Sequence, residues 1–134
     1  MSDALRLPDG FGQVAPYIFV EDGVAYMDYL CESLGGTITN RKVDGEGKLL
    51  NGHVHFGHGS IMVTEARPPD YPAGRVATYL FVADCDAVFE RAVAAGMETI
   101  YPPADMPYKD RQAGVRDARG NIWWISQRLV AGPY

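Results

Sequence analysis

Cysteine is scarce in this chain: of 134 residues only Cys31 and Cys85 carry a thiol. Neither stands in a C-x-x-C pair or any other metal or redox spacing, so a disulfide scaffold, a zinc ribbon and a thioredoxin-like motif are excluded. The two read as reduced thiols packed as small hydrophobes. Long apolar runs are missing as well. The longest, such as VATYLFVA from Val76, falls far short of a bilayer span. The formal charge is −5 and no Lys/Arg cluster stands out, which argues against nucleic acid and anionic membranes as partners. The opening MSDALRLPDG has no charged start followed by an apolar core, so no secretory signal is expected and the cytoplasm is the expected location. A P-loop, a phosphate-cradling glycine loop, an activated thiol and a Ser/His/Asp order are all lacking. Histidine is as rare: His53, His55 and His58 are the only three, all inside GHVHFGH from Gly52.

What is present is a repeat. PYIFVEDGVAYMDYL from Pro16 aligns with TYLFVADCDAVFERA from Thr78, with Tyr17/Tyr79, Phe19/Phe81, Val20/Val82, Asp22/Asp84 and Ala25/Ala87 identical. HGSIMVTE from His58 aligns with RGNIWWIS from Arg119, one residue slipped. Each copy opens on an apolar run rich in aromatic and β-branched residues, which predicts a strand. Asp22 or Asp84 follows as a helix N-cap. Val24, Met27, Cys31 and Leu34 then recur at helical spacing, as do Val88, Phe89, Ala92 and Val93. Gly35-Gly36 and Gly96 stop the helices. Three strand candidates complete each copy: GTITNRKV, LLNGHVHF and SIMVTEA in the first, METIY, RQAGVRD and NIWWISQ in the second. The prediction is an α+β protein, one domain of two β-α-β-β-β units, about 13–66 and 75–129. RPPDYPAG, 67–74, joins them as a stiff, extended linker.

Paired units of this kind, an aromatic strand ending in Asp, and the turn and strand DARGNIWWIS resemble the vicinal oxygen chelate superfamily. This is the glyoxalase, bleomycin-resistance and extradiol dioxygenase group, and the small bacterial proteins of the PhnB and bleomycin-resistance kind are most similar. The resemblance covers roughly residues 13–129. It implies a curved, cup-shaped mixed sheet with helices on the outer face and a ligand on the inner face. It also implies metal ligands near the start of each unit's first strand and on each unit's last strand. Here those positions hold Ala15, Ala77, Val63 and Trp124, none of which suits a hard metal. No metal and no other cofactor is therefore expected.

Strand alternation sends Tyr17, Phe19, Tyr79, Phe81 and Trp124 inward and Ile18, Val20, Trp123 and Ile125 toward the helices. Pairing Arg116 with Ile122, His55 with Ile61 and His53 with Val63 adds His53, His55 and Arg116 to the same inner face. His58 falls in an exposed turn. Two histidines at i and i+2 need a third ligand, for which Glu65 is the one candidate. PPADMPYKDRQAG from Pro102 reads as a loop at the rim, with Tyr108, Asp110 and Arg111 placed to close over a ligand. The expected function is metal-independent binding of a planar or aromatic small molecule by Tyr17, Phe19, His53, His55, Tyr79, Phe81, Arg116 and Trp124, in a homodimer. The alternative is a lyase, isomerase or dioxygenase with a relocated metal site or with His53 or His55 as general base.

Overall fold

A computed structural model describes residues 4–134. It contains ten elements: β1 (Tyr17–Val20), α1 (Gly23–Leu34), β2 (Thr37–Val43), β3 (Leu49–Phe56), β4 (Gly59–Glu65), β5 (Ala77–Phe81), α2 (Cys85–Ala94), β6 (Glu98–Asp105), β7 (Asp110–Arg116) and β8 (Ile122–Arg128). The α+β class and the doubled β-α-β-β-β order are those expected. Contacts divide the chain into two compact units, one of Met1–Cys31 with Gly36–Gly74, the other of Glu32–Gly35 with Arg75–Tyr134.

Each unit holds one four-stranded mixed sheet. The orders are β1-β4-β3-β2 and β5-β8-β7-β6. The first and last strands of each unit pair in parallel and the remaining pairs are antiparallel. The parallel pair is possible because the helix supplies the crossover.

In the first unit the helix-side face buries Ile18, Val20, Val54, Ile61 and Val63. Helix α1 brings Tyr26, Met27 and Leu30, all buried. Tyr26 and Leu30 replace Val24 and Cys31 of the expected stripe, a rotation of about one residue around the helix axis. Gly52 is the hole that receives Met27: a Cβ there would overlap the thioether. In the second unit Leu80, Ala113, Val115, Trp123 and Ile125 are buried, and α2 adds Cys85 and Ala92. Val93, expected in that stripe, is exposed. Burial pushes the Cys85 thiol up to about 11, in keeping with an inert packed thiol.

The two helix starts differ. Asp84 caps α2 as expected, its side chain accepting from Ala87 N at 3.1 Å. At α1 the exposed amides are taken by Glu65, whose carboxylate accepts from Asp22 N at 2.7 Å and Gly23 N at 2.9 Å. Glu65 lies beside Val20 on β4, on the helix face. It therefore cannot be a third ligand for His53 and His55.

The family-like turn is also structural. Asp117 accepts from Arg119 N and Asn121 N through Oδ1, and from Trp123 Nε1 at 2.9 Å through Oδ2. Gly120 takes φ +83°, a backbone region costly for other residues. Asn121 Oδ1 accepts from Val76 N at 2.8 Å and fixes the entry to β5.

Two expectations fail outside the core. RPPDYPAG is not extended: Arg67 and Tyr71 exchange two backbone hydrogen bonds of 2.6 and 2.9 Å, and Gly74 N donates to Phe19 O. Prolines fix φ but leave the intervening amides free to close a turn. Residues 102–114 are not a loop either, since β6 runs on through Asp105 and returns as β7. Both β6 prolines fall where the ladder is irregular, between Tyr101 and Ala104, as strand prolines do.

Candidate functional site

The sheet face away from the helix in each unit carries the residues of interest, and strand register determines which of them share a row. In the second unit Tyr79 pairs with Trp124, Trp124 with Gly114, and Gly114 with Tyr101. The next row is Phe81, Ser126, Gln112 and Ala104. The row on the other side runs Ala77, Ile122, Arg116 and Glu98.

Gly114 shapes the central row. A Cβ there would overlap the Trp124 ring and lie 3.0 Å from Tyr101 Cε1. Its absence lets Trp124 lean across β7 and stack on Tyr101, with ring centroids 5.6 Å apart and planes 27° apart. Such a pair contributes about 0.5–1.5 kcal/mol beyond burial. Tyr79 and Phe81 stand beside it, 5.7 Å apart, and remain 47% and 55% exposed. A folded protein rarely leaves two neighbouring rings this open without a use for the surface.

Under this aromatic surface lies a polar knot. Gln112, buried, accepts through Oε1 from Tyr101 Oη at 2.6 Å and Tyr108 Oη at 2.5 Å. Its Nε2 donates to Ser126 Oγ at 2.7 Å. Desolvation and the neighbouring Tyr79 push the Tyr108 phenol up to about 12. Burial and the neighbouring Tyr79 raise Tyr101 too. Tyr101 and Tyr108 are therefore neutral donors at physiological pH.

Further along the sheet Asp110, fully buried, accepts from Arg128 Nη1 at 2.8 Å and Tyr134 Oη at 2.7 Å. Burial raises the Asp110 carboxyl, but the Arg128 and Tyr134 hydrogen bonds and the Arg128 charge outweigh it and leave it below the usual range. Arg111 points to the helix face and bridges Asp86 and Asp105. The expected grouping of Tyr108, Asp110 and Arg111 over a ligand is therefore broken up: only Tyr108 reaches the aromatic cluster. Arg116 lies on the open face, at its edge, and pairs with Glu98 at 2.9 Å.

The first unit carries a smaller aromatic face. Tyr17 and Phe19 meet edge to face at 5.2 Å, and Phe19 and Tyr71 do so at 6.0 Å. His53 pairs with Met62 and His55 with Ser60, one residue off the expected Val63 and Ile61. The β3–β4 turn holds two residues, Gly57-His58, where the second unit's Asp117–Asn121 turn holds five; the odd difference accounts for the slip. The two histidines still share the face of Tyr17, because Met62 is the partner of Tyr17. Phe11 and His53 meet edge to face, with ring centroids 5.0 Å apart. His55 Nδ1 meets Ser60 Oγ at 3.0 Å, and Ser60 donates to Gly10 O.

The last-strand position that faces outward in the first unit is thus Met62, not the buried Val63. Met62 and Trp124, with Ala15 and Ala77 before or at the first strands, offer no hard donor. Among the described residues no three His, Cys, Asp or Glu side chains gather into a metal-binding group. The metal that the resemblance implies does not fit the residues at these positions. Sequence reasoning missed Tyr101 and Gln112; the glycine at position 114 of β7 was the available signal.

Among the described residues no helix is long and apolar enough to cross a membrane. An uncharacterized protein of Mycobacterium tuberculosis (strain H37Rv) is 25% identical over 124 residues, 85% of this chain and 73% of its own. The crystal structure of TioX from Micromonospora sp. ML1 superposes with a TM-score of 0.71 at 24% identity, covering 87% of this chain and 99% of that one. TnmS3, described as an antibiotic binding protein from Streptomyces sp. CB03234, gives 0.67 at 21% identity, covering 87% and 96%. At those identities the likeness is one of fold. The family model described as Glyoxalase/Bleomycin resistance protein/Dioxygenase superfamily matches residues 10–125, and the chain belongs to that superfamily.

Proposed function

We propose that the protein binds a planar or aromatic small molecule without a metal, on the open face of its second unit. The carrying observation is the Trp124–Tyr101 stack over Gly114 with Tyr79 and Phe81 exposed beside it. Trp124, Tyr79 and Phe81 supply flat faces of low conformational cost, and Arg116 supplies a polar contact at the edge. Tyr17, Phe19, His53 and His55 form a second candidate face in the first unit. The likeness in fold to an antibiotic binding protein supports a binding role over a catalytic one. The same reading takes the protein to be a homodimer, the commonest closed oligomer.

A thermal-shift screen of planar aromatics against the protein and its Trp124→Ala variant tests this. A ligand of the native state raises the midpoint, and the rise should vanish in the variant. No rise with any compound, or an equal rise in both proteins, would overturn the reading.

A further inference from the structure

Resting on that binding face, we infer that Gln112 sets its ligand preference: by accepting from both Tyr101 and Tyr108 it leaves the cluster with acceptors to spare and few donors, so the favoured ligand brings its own O–H or N–H groups.

The argument is one of proton accounting. A carboxamide oxygen has two lone pairs, and two phenols point at Gln112 Oε1, at 2.6 and 2.5 Å. Distances that short belong to O–H···O bonds rather than N–H···O bonds. This assigns the oxygen of the amide to the phenols and its nitrogen to Ser126, at 2.7 Å. Each phenol then spends its single proton inward. What these two phenols keep is lone pairs on Tyr101 Oη and Tyr108 Oη, on the face that carries the open rings of Tyr79 and Phe81. A ligand that presents only ether or carbonyl oxygens meets acceptor against acceptor. One that presents hydroxyl or amine groups on the same ring finds partners. Mismatched buried polar groups discriminate more steeply than apolar fit does.

The phenols' orientation is inherited from Gln112, which makes it a positioning residue for specificity. Replacing it by leucine removes the common acceptor and frees both protons, so the phenols become donors and the preference should invert.

The probes are 2,6-dihydroxynaphthalene and 2,6-dimethoxynaphthalene, titrated into the full chain and followed by NMR chemical shifts. The dihydroxy compound should bind at least about tenfold more tightly. In Gln112→Leu the order should reverse. In Tyr101→Phe, which keeps the ring on Trp124 but removes its oxygen, the gap should shrink severalfold. If Gln112→Leu fails to fold, Tyr101→Phe together with Tyr108→Phe decides the matter. Equal affinities, or tighter dimethoxy binding by the unmodified protein, would overturn the preference while leaving the stacking face intact. Binding of neither probe would overturn both.

Discussion

Glu65 and Gln127 hold the same place in the two units: each side chain accepts, at 2.9 Å through Oε1, the backbone N–H of the first residue of its own helix, Gly23 or Cys85. The last strand of each unit is thereby tied to the start of its helix. The carboxylate does more than the amide, because its second oxygen also accepts from Asp22 N. Nature has thus already tested a glutamine at this place. Glu65→Gln should cost no more than about 1 kcal/mol, whereas Glu65→Ala strands two amides and should cost about 1–3 kcal/mol. Urea denaturation of the two variants checks the order.

Trp123 and Trp124 should separate stability from binding. Trp123 is 1% exposed and bonded to Asp117, so Trp123→Ala should cost about 3–5 kcal/mol. Trp124→Ala should cost less and abolish ligand binding. Denaturation curves that rank the two in the opposite order would reverse the face assignment of the whole second unit.

Gly114→Ala should displace Trp124, because the added methyl occupies the space its ring now fills. The sheet tolerates alanine at that backbone position, so the fold should persist with a loss of about 1–3 kcal/mol. Tryptophan fluorescence and near-UV circular dichroism should report the opened Trp124–Tyr101 stack, with unchanged far-UV signal.

Asp110 gives the stability a pH dependence of known sign. Its carboxyl titrates lower in the folded protein than its ordinary value of 3.8. The unfolded chain therefore binds the proton more readily. The resulting stabilisation is fully present above about pH 4 and is lost as pH falls through the folded value. Asp86, held low by Arg111, adds to the same limb. Asp110→Asn should flatten the acid limb below pH 4 without removing it, as measured by midpoints of thermal unfolding between pH 2 and 6.

The proposed dimer is checked by light scattering. A mass near twice 14.7 kDa is expected at micromolar concentration, and a mass of one chain would count against it.

The sequence by itself determined the repeat, the ten elements and the two sides of the strand that opens each unit. Strand alternation is strictly two-fold, so once Ile18 and Val20 or Trp123 and Ile125 are read as core, Tyr17, Phe19, Tyr79, Phe81 and Trp124 must lie opposite. The tertiary structure decided the register and what met across it. A two-residue turn, where the second unit has five, moved His53 from Val63 to Met62 and His55 from Ile61 to Ser60, and a single-residue slip changes which side chains face each other. Glu65 passed from a possible ligand to a helix cap for the same reason. Tyr101, Gln112 and Ser126 lie on three strands and touch only because the β6–β7–β8 ladder aligns them. No local pattern announces such a contact, because side chains of distant sequence are brought within hydrogen-bonding reach by pairing geometry alone.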